Sequence, residues 1–446
     1  MRRRLDAPTL IAKLFNVVFY GGYAVWYFYS PLLLRWRGVT SSLIGAVLAV
    51  RPVVGASVTP LWTALADASG RHQALHVGSL VVGGASRLLY LAAPAAAAPL
   101  LAAAVASEVL TCHMTPLGDT AIVTGLKRLG RPQHEYAQQR LWGAVGAGWI
   151  FMPIAGALLQ GQSHATSWHI ALALHIGLLL LSACLAPRLW EIGGPASQAR
   201  ADSGTEAAAA AASRGSRWLD AVCEVRPSLR GCARCVLFFW CGCFHAATEG
   251  FLFLYLDALG ASTALDGLAI LFTCLSEVAV MAVAQRLIAR LGLDGCLVLV
   301  FACYLLRFLA YIGLAQPWWP SLWLVLPAQL LHGITFGLYW SAGVHWAAMS
   351  APNGLAATFQ GAFAALRDGG ATLALLAGGA ALDRVGGDGL YAGTAIGSAC
   401  AGLVAVALAA TGALQGERSG GRLLRGVAEL STSSSKRDST VAGAEV

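Results

Sequence analysis

Ionisable side chains stand within long apolar stretches of this 446-residue chain. Glu249 and Glu277 fall near the middles of two such stretches, and His245 precedes Glu249 by four residues, which places both on one face of a helix. Burial favours a protonated carboxyl group and a nearby arginine opposes that preference. A carboxyl group in such surroundings can bind and release a proton, so the residue types predict reversible proton binding.

Further charged residues occupy the apolar stretches. The bases are Arg51, Arg87, Arg140, Arg307 and Arg367, with Lys13 near the cytosolic end of the first predicted helix. The acids are Glu108, Asp119, Glu249, Glu277 and Asp368. An unpaired charge in hydrocarbon costs several kcal/mol, so extensive pairing is expected. One interpretation is a static ion-pair network, and the other is a set of polar groups that face a wet cavity. Pro52 kinks the helix beside Arg51, which favours a cavity-facing arginine.

Two helix faces carry aromatic side chains. Tyr20, Tyr23 and Tyr27 share one face near the start of the chain, and His332, Phe336 and Trp340 share another. Rings with polar tips suit contact with sugar rings or nucleobases, and such stripes also serve ordinary helix packing. Both interpretations remain open from the sequence.

The composition predicts an integral membrane protein. Hydrophobic residues make up 57% of the chain and charged residues 12%, against about 25% charged residues in soluble proteins. The first apolar run, about 10–34, is longer than the roughly 7–15 apolar residues of a signal peptide core. We therefore interpret it as the first membrane helix.

The hydropathy pattern predicts an all-α membrane protein with twelve transmembrane helices in two six-helix bundles. The bundles span 1–187 and 235–411, separated by a flexible cytosolic linker at 188–234 and followed by a disordered cytosolic tail at 412–446. The predicted helices are 10–34, 42–65, 74–93, 97–126, 140–161, 167–187, 235–258, 264–289, 293–315, 321–347, 356–382 and 389–411.

Lysine and arginine residues predict the orientation. They concentrate at the start of the chain, in the linker, in the tail and in the loops on the same side, whereas Arg35, Arg37 and Arg384 fall on the other. Because basic loops stay in the cytosol, both termini are expected there. The net charge of +8 reflects this bias and does not indicate nucleic acid.

The two halves of the sequence repeat each other. Gly38-Val-Thr-Ser-Ser-Leu-Ile-Gly45 matches Gly260-Ala-Ser-Thr-Ala-Leu-Asp-Gly267, each leading into an equivalent helix. Arg87-Leu-Leu-Tyr90 resembles Arg307-Phe-Leu-Ala-Tyr311 at nearly the same offset. Duplication of a six-helix unit commonly places a solute path between the halves.

The sequence resembles the major facilitator superfamily in several motifs. Trp62-Thr-Ala-Leu-Ala-Asp67-Ala-Ser-Gly70-Arg71 is similar to its loop signature Gly-x-x-x-Asp-(Arg/Lys)-x-Gly-Arg, with Thr63 and Ala68 departing from it. Arg140-Leu-Trp142-Gly143-Ala-Val-Gly146, Leu331-His332-Gly333-Ile-Thr-Phe-Gly337-Leu-Tyr-Trp340 and Ala356-Ala-Thr-Phe-Gln360-Gly361 resemble lactose-permease-like and nucleoside–proton symporters and the eukaryotic "major facilitator superfamily domain-containing protein 6" group.

This resemblance implies transport by alternating access and suggests roles for particular residues. Glu277, Arg307 and His332 resemble the proton and sugar machinery of the lactose-permease-like symporters by helix number. An acid–arginine pair at the positions of Asp119 and Arg140 contacts substrate in those symporters, although a structural latch is an equal alternative here. The loop of Asp67, Gly70 and Arg71 implies a gating role.

The leading prediction is a secondary active transporter, proton-coupled, for a small polar organic solute such as a sugar or nucleoside. The alternatives are a transporter-like receptor or scaffold without flux, and an uncoupled facilitator or an exporter. The proton-coupling candidates are Glu249, Glu277, His245 and His332. The substrate-binding candidates are Arg51, Asp119, Arg140, Arg307, Tyr23, Tyr27, Trp340 and Arg367.

The expected partners are the solute, protons and the lipid bilayer, with the chain acting as a monomer. No phosphate-binding loop of the Gly-x-x-x-x-Gly-Lys-(Ser/Thr) type occurs, so ATP-driven pumping is not expected. No other feature of the sequence indicates catalysis, so an enzyme is not expected. Cys232-x-x-Cys235, Cys241-x-Cys243 and His245 form a cluster without a second ligand pair at a compatible place. We therefore expect neither a metal nor a cofactor, and the sequence does not identify which membrane holds the protein.

Overall fold

The computed structural model describes residues 7–132, 135–192, 228–351 and 355–441, and the side chains of 9–132, 135–192, 228–351, 355 and 358–411. Long helices account for nearly all of this part of the chain. They are α1 Ala7–Trp36, α2 Ser41–Ser69, α3 His72–Ala92, α4 Ala97–Arg128, α5 Glu135–Leu159, α6 His164–Trp190, α7 Leu229–Ala258, α8 263–291, α9 293–314, α10 Leu322–Ser350, α11 356–385 and α12 387–441.

Within the described residues, ten helical stretches are long and apolar enough to cross a membrane. Two of them, Thr263–Leu314 and Thr358–Thr411, have 52 and 54 residues, whereas one crossing needs about 20. Each contains a glycine with positive φ, Gly292 at 67° and Gly386 at 70°, where two helices meet. Glycine adopts this conformation without strain because it has no Cβ. Division at these glycines gives the segments α8, α9, α11 and α12.

Several helices are locally irregular where they pass through the protein. One stretch of π-helix interrupts α3 at Ser79–Gly83, another interrupts α5 at Val145–Phe151, and a third interrupts α10 at Gly333–Leu338. The helical pattern of α4 breaks at 112–113, just before Pro116, which lacks an amide hydrogen. Such irregularities are frequent at functional sites in helical proteins.

The boundaries around the predicted linker and tail differ from the expectation. Helix α6 continues to Trp190 and α7 begins at Leu229, so both enter the interval 188–234. Hydropathy does not mark these ends because their outer turns are polar. Residues 193–227, the rest of the predicted linker, lie outside the described residues. Helix α12 extends to Val441, and the disordered cytosolic tail at 412–446 stays a prediction.

The first half, α1–α6, and the second half, α7–α12, share a hydrophobic core at one end. We call this the closed end: α1 and α7 finish there, and α2 and α8 begin there. Phe251 and Leu254 of α7 and Leu375 of α11 pack in the same cluster as Val25 and Ile44 of the first half. A separate cluster fills the interior of the second half alone.

Hydrogen bonds join the halves at the closed end. The indole of Trp36 donates to Asp257 at 3.2 Å, and the hydroxyl of Tyr29 donates to the carbonyl of Thr263 at 3.0 Å. The carboxylate of Asp383 accepts from the backbone amides of Ser41 and Ser42 at 2.9 and 2.7 Å. These are the first amides of α2, which have no partner within the helix, so Asp383 caps a helix of the other half.

The repeated glycines mark two matching helix contacts at the same end. A Cβ at Gly45 of α2 would lie 2.1 Å from the carbonyl oxygen of Leu375 in α11, and one at Gly267 of α8 would lie 2.4 Å from that of Met152 in α5. A Cβ at Gly379 would lie 2.4 Å from the carbonyl oxygen of Ser41, and one at Gly156 would lie 2.4 Å from that of Thr263. The duplicated motif therefore corresponds to a duplicated backbone contact between the halves.

Candidate functional site

A cavity of about 460 Å³ lies between the halves at the middle of the helices. Helices α1, α2, α4 and α5 of the first half and α7 and α11 of the second bound it. Its size falls in the range of small-molecule sites, roughly 300–1,000 Å³. The polar lining side chains are Tyr20, Tyr23, Tyr27, Arg51, Glu108, Thr111, Thr115, His245, Glu249, Arg367 and Asp368.

The tyrosine stripe of α1 forms one wall. Tyr23 and Tyr27 are one helical turn apart and stack with ring centroids 6.0 Å apart at 15°. The guanidinium carbon of Arg51 lies 3.8 Å from the centroid of Tyr27, and its Nη1 donates to the Tyr23 hydroxyl at 3.5 Å. An arginine over an aromatic face gains a cation–π attraction, so α1 and α2 hold this guanidinium at the cavity wall.

Glu249 of α7 links the halves across the cavity. Its Oε2 accepts a hydrogen bond from the Tyr27 hydroxyl at 2.8 Å and lies 3.6 Å from Nε2 of His245. The i,i+4 spacing of His245 and Glu249 places both on the cavity face of α7. A hydrogen bond to an ionised carboxylate is stronger than one to a neutral carboxyl group, so this contact depends on the protonation of Glu249.

Arg307 of α9 lies behind Glu249 beside a small second cavity of about 10 Å³ that both residues line. It is 2% exposed, and its guanidinium donates to the side chains of Tyr311, Gln329, His332 and Thr335. Arginine only donates hydrogen bonds, so Nδ1 of His332 is the acceptor. In a neutral imidazole the proton then resides on Nε2.

His245, Glu249 and His332 could also hold a cation, because one donor atom of each lies within 4.8 Å of the others. However, the guanidinium of Arg307 donates a hydrogen bond to Nδ1 of His332 at 3.1 Å, and its positive charge repels a cation at this place. Binding of a metal through Nε2 of His332 would also require that nitrogen to lose its proton. The arrangement suits proton exchange better than metal coordination.

Two arginine–carboxylate ion pairs lie at the cavity. Nη2 of Arg87 lies 3.3 Å from Oε2 of Glu108, with the side chains 7% and 10% exposed. Arg367 contacts its neighbour Asp368 at 2.6 Å. Both acids line the cavity, although the sequence identified them only as buried charges and not as members of the site.

Asp119 and Arg140, predicted to meet, lie 3.9 Å apart between Oδ1 and Nε. The guanidinium carbon of Arg140 also lies 3.7 Å from the ring centroid of Tyr20, which lines the cavity. The pair therefore lies next to the cavity wall and extends the tyrosine stripe of α1 at its far end.

Some predicted site residues lie away from the lining. Glu277 of α8 is half-buried and lines neither of the two cavities described above. Trp340 of α10 packs beneath Arg367, whose guanidinium carbon is 5.2 Å from the indole ring. His332 reaches the site through its ring contact with His245, at 5.7 Å between centroids.

The loop between α2 and α3 has a local arrangement of its own. Gly70 ends α2 with a φ of 65°. Asp67 lies 2.8 Å from Nε2 of His72. Arg71 contacts Ser69 through its backbone amide at 3.3 Å. The acid of this loop is thus paired with a histidine outside the quoted signature.

Sequence reasoning did not identify the closed-end residues Trp36, Asp257 and Asp383. The signal available for them was indirect: the repeated Gly45 and Gly267 mark where the halves touch. Asp383 follows the small-residue strip of Gly378 and Gly379 by one turn of α11. No residue pattern alone would have paired it with the start of α2.

Residues 10–392 match the family described as the MFS_1 like family. The maltose permease of Geobacillus stearothermophilus is 26% identical over 386 residues, which cover 84% of this chain and 88% of that protein. A "Major facilitator superfamily domain-containing protein 6-like" protein of Mus musculus is 32% identical over 120 residues, or 26% of this chain and 20% of that one.

Solved transporters share the fold. The nucleoside transporter NupG superposes with a TM-score of 0.71 at 15% identity, covering 90% of this chain and 99% of that one. A peptide transporter, POT, in complex with alafosfalin gives 0.64 at 14% identity, covering 91% and 95%. At these identities the likeness concerns architecture alone. Together with the family match over residues 10–392, it establishes that this multi-pass membrane protein belongs to the MFS_1 like family of major facilitator superfamily transporters and is not an enzyme.

Proposed function

We propose that the protein is a proton-coupled secondary active transporter that moves a small polar organic solute by alternating access. The observation that carries this proposal is the central cavity, which both halves line with ionisable side chains and which the halves close at one end. Charge at bilayer depth is costly and is kept mainly along solute or proton paths. The relatives support solute transport, since one is a permease and another a nucleoside transporter.

A sugar- or nucleoside-like solute fits the wall of stacked tyrosines. Tyr23 and Tyr27 present ring faces and hydroxyl groups to the cavity, and such amphipathic rings suit both a sugar and a base. Arg51 and Arg367 add donors from opposite halves. A solute that touches both walls would draw the halves together around it, which alternating access requires.

Proton coupling is assigned to Glu249, with His245 and His332 as its neighbours. The ionised carboxylate holds the Tyr27 hydroxyl of the other half at 2.8 Å. Protonation removes the charge from this acceptor and weakens the hydrogen bond between the halves. Proton binding and separation of the halves are therefore linked at one atom, Oε2 of Glu249. Glu277 is the alternative carboxyl group.

The orientation follows from the basic loops. With both termini in the cytosol, the closed end faces away from the cytosol, and the structure corresponds to an inward-facing state. The end opposite the closed end is the more open one, since most residues of α2 after Arg51 are half-buried or exposed.

The test is uptake by purified full-length protein in liposomes with an inward proton gradient, scored with radiolabelled sugars and nucleosides. We expect gradient-driven uptake, which Glu249→Gln abolishes or uncouples. Glu277→Gln tests the alternative carboxyl group. Glu191→Gln, at an exposed position after α6, is the matched control and should transport normally. Coupled uptake that persists in both Glu249→Gln and Glu277→Gln would contradict the proton assignment, and binding without flux would favour a receptor.

A further inference from the structure

Arg51, at the wall of the central cavity, has no acidic partner in ion-pair contact among the residues that the structure describes. In the part of the chain that the structure describes, no carboxylate oxygen lies within 4.0 Å of an Arg51 nitrogen. Within the described residues, Arg51 makes one hydrogen bond, to the Tyr23 hydroxyl, and it is long at 3.5 Å. A guanidinium has five N–H donors, so most of its capacity is unused.

The other charges of the cavity wall have partners. Glu108 pairs with Arg87, Asp368 pairs with Arg367, and Glu249 accepts from Tyr27. Arg307 is likewise without a carboxylate, but four neutral side chains occupy its donors and it is 2% exposed. Arg51 therefore differs from every other charged group at this site that the described residues include.

The unused donors of Arg51 face open space. Neither Nε nor Nη2 is among the buried nitrogen atoms without a hydrogen-bond partner, and the residue lines the 460 Å³ cavity and a side cavity of about 40 Å³. A planar fork of donors in a partly desolvated site is suited to bidentate binding of a carboxylate.

We propose that the transported solute carries a carboxylate group, which the guanidinium of Arg51 binds in the central cavity. This inference rests on the proposed transport function and specifies its substrate class as an organic acid. The stacked rings of Tyr23 and Tyr27 then contact the body of the solute beside the acid group.

The same geometry couples the acid to the proton. Arg51 lies over the ring of Tyr27, and Glu249 binds the hydroxyl of that ring, so the two charges balance across one tyrosine. When a proton neutralises Glu249, one negative charge is lost from the surroundings of Arg51, and the carboxylate of the solute replaces it. One proton and one monovalent acid enter together, so the step moves no net charge.

Matched solutes test the acid group directly. Thermal stability of the purified full-length protein is measured with glucose against glucuronate and with uridine against orotidine, at constant potassium concentration. A ligand that binds the folded state raises the apparent melting temperature. We expect the acid of at least one pair to bind about tenfold more tightly than its neutral partner, as charge-assisted hydrogen bonds imply.

Variants locate the effect. Arg51→Gln should abolish the preference for the acid, Arg51→Lys should retain part of it because the charge stays and the fork is lost, and Arg384→Gln, at an exposed position, should leave it unchanged. The inference is overturned if neutral and acid partners bind equally in the wild-type protein, or if Arg51→Gln keeps the preference. It is also overturned if potassium chloride or phosphate gives the same stabilisation, which would indicate an inorganic anion site.

Transport separates this inference from the proposed function. In liposomes, uptake of the acid should follow the pH gradient and should be unchanged when valinomycin and potassium set a membrane potential. Proton-coupled uptake of a neutral sugar with no acid preference would sink the inference and leave the proposed function intact. Acid binding through Arg51 without any flux would contradict the transport function and leave only a carboxylate-binding site at Arg51.

Discussion

Gly45 offers the sharpest test of how the closed end is held. A methyl group at this position would place Cβ 2.1 Å from the carbonyl oxygen of Leu375 and 3.2 Å from Cα of Gly379. Ordinary van der Waals contact begins at 3.4 Å, so α2 and α11 must move apart by about 1.3 Å (3.4 − 2.1). The opposing atoms belong to the backbone, and no side chain can rotate away to relieve the clash.

The variant Gly45→Ala should therefore favour the state in which this end is open. Overpacking a close contact costs about 1–3 kcal/mol, which corresponds to roughly a 5- to 150-fold shift between two conformations. Opening also separates Asp383 from the amides of Ser41 and Ser42, because these hydrogen bonds span the same two helices.

Hydrogen–deuterium exchange of the peptide covering residues 38–48 measures this opening. Exchange of its first helical amides should be roughly 5- to 150-fold faster in Gly45→Ala than in the wild-type protein, because local opening exposes them. The matched control is Gly177→Ala in α6, where an added Cβ would meet no atom within 4 Å. Gly267→Ala, whose Cβ would lie 2.4 Å from the Met152 carbonyl oxygen, should act in the same direction at α5 and α8.

Unchanged exchange in a folded Gly45→Ala protein would refute the view that backbone contact between α2 and α11 closes this end. Equal acceleration in Gly177→Ala would refute it too, because the effect would then be a general loss of stability. Both outcomes are readable from the same peptide map, since peptides from the separate core of the second half report global unfolding.

Three further predictions concern single contacts. Arg87→Met should lower the free energy of unfolding in detergent by about 3–5 kcal/mol, because it leaves Glu108 charged and buried. The double variant Arg87→Met/Glu108→Leu should regain most of this stability. A double variant as unstable as the single one would contradict the buried-charge explanation. Asp383→Ala should accelerate amide exchange at Ser42 with no loss of the fold, and unchanged exchange would show that the cap does not protect this amide. Gln329→Leu removes an acceptor from the buried guanidinium of α9 and should cost roughly 1–3 kcal/mol in a denaturant titration, which an unaltered midpoint would contradict.

The helical fold could be predicted because hydropathy reports where the chain crosses lipid. Its limits are physical as well. Apolar content does not mark a helix end outside the membrane, so the sequence placed the start of α7 at 235 instead of at Leu229. A π-helical stretch such as Gly333–Leu338 depends on packing against α8, which residue spacing does not reveal.

The site could be predicted only as a set of residue types at membrane depth. Glu249 and Glu277 are equivalent by that criterion, since both are acids near the middle of a helix. Successive side chains on a helix point about 100° apart, so the direction of any one side chain depends on how the whole helix is rotated about its axis. The structure places Glu249 at the cavity and Glu277 outside its lining. Pairing of Tyr27 with Glu249 joins residues 222 positions apart, which no local pattern encodes.

The duplicated arginines show how the two halves have diverged in chemistry. Arg87 and Arg307 occupy equivalent helices at an offset of 220 residues (307 − 87). Arg87 has a carboxylate at 3.3 Å, so its charge is neutralised within the first half. Arg307 has only neutral acceptors and a histidine, and it shares a small cavity with Glu249. Protonation of Glu108 would take the carboxylate partner from Arg87, whereas the neutral acceptors around Arg307 bind its donors whatever the charge of Glu249. We therefore predict proton exchange in the second half, at Glu249, rather than at the ion pair of Arg87 and Glu108 in the first half.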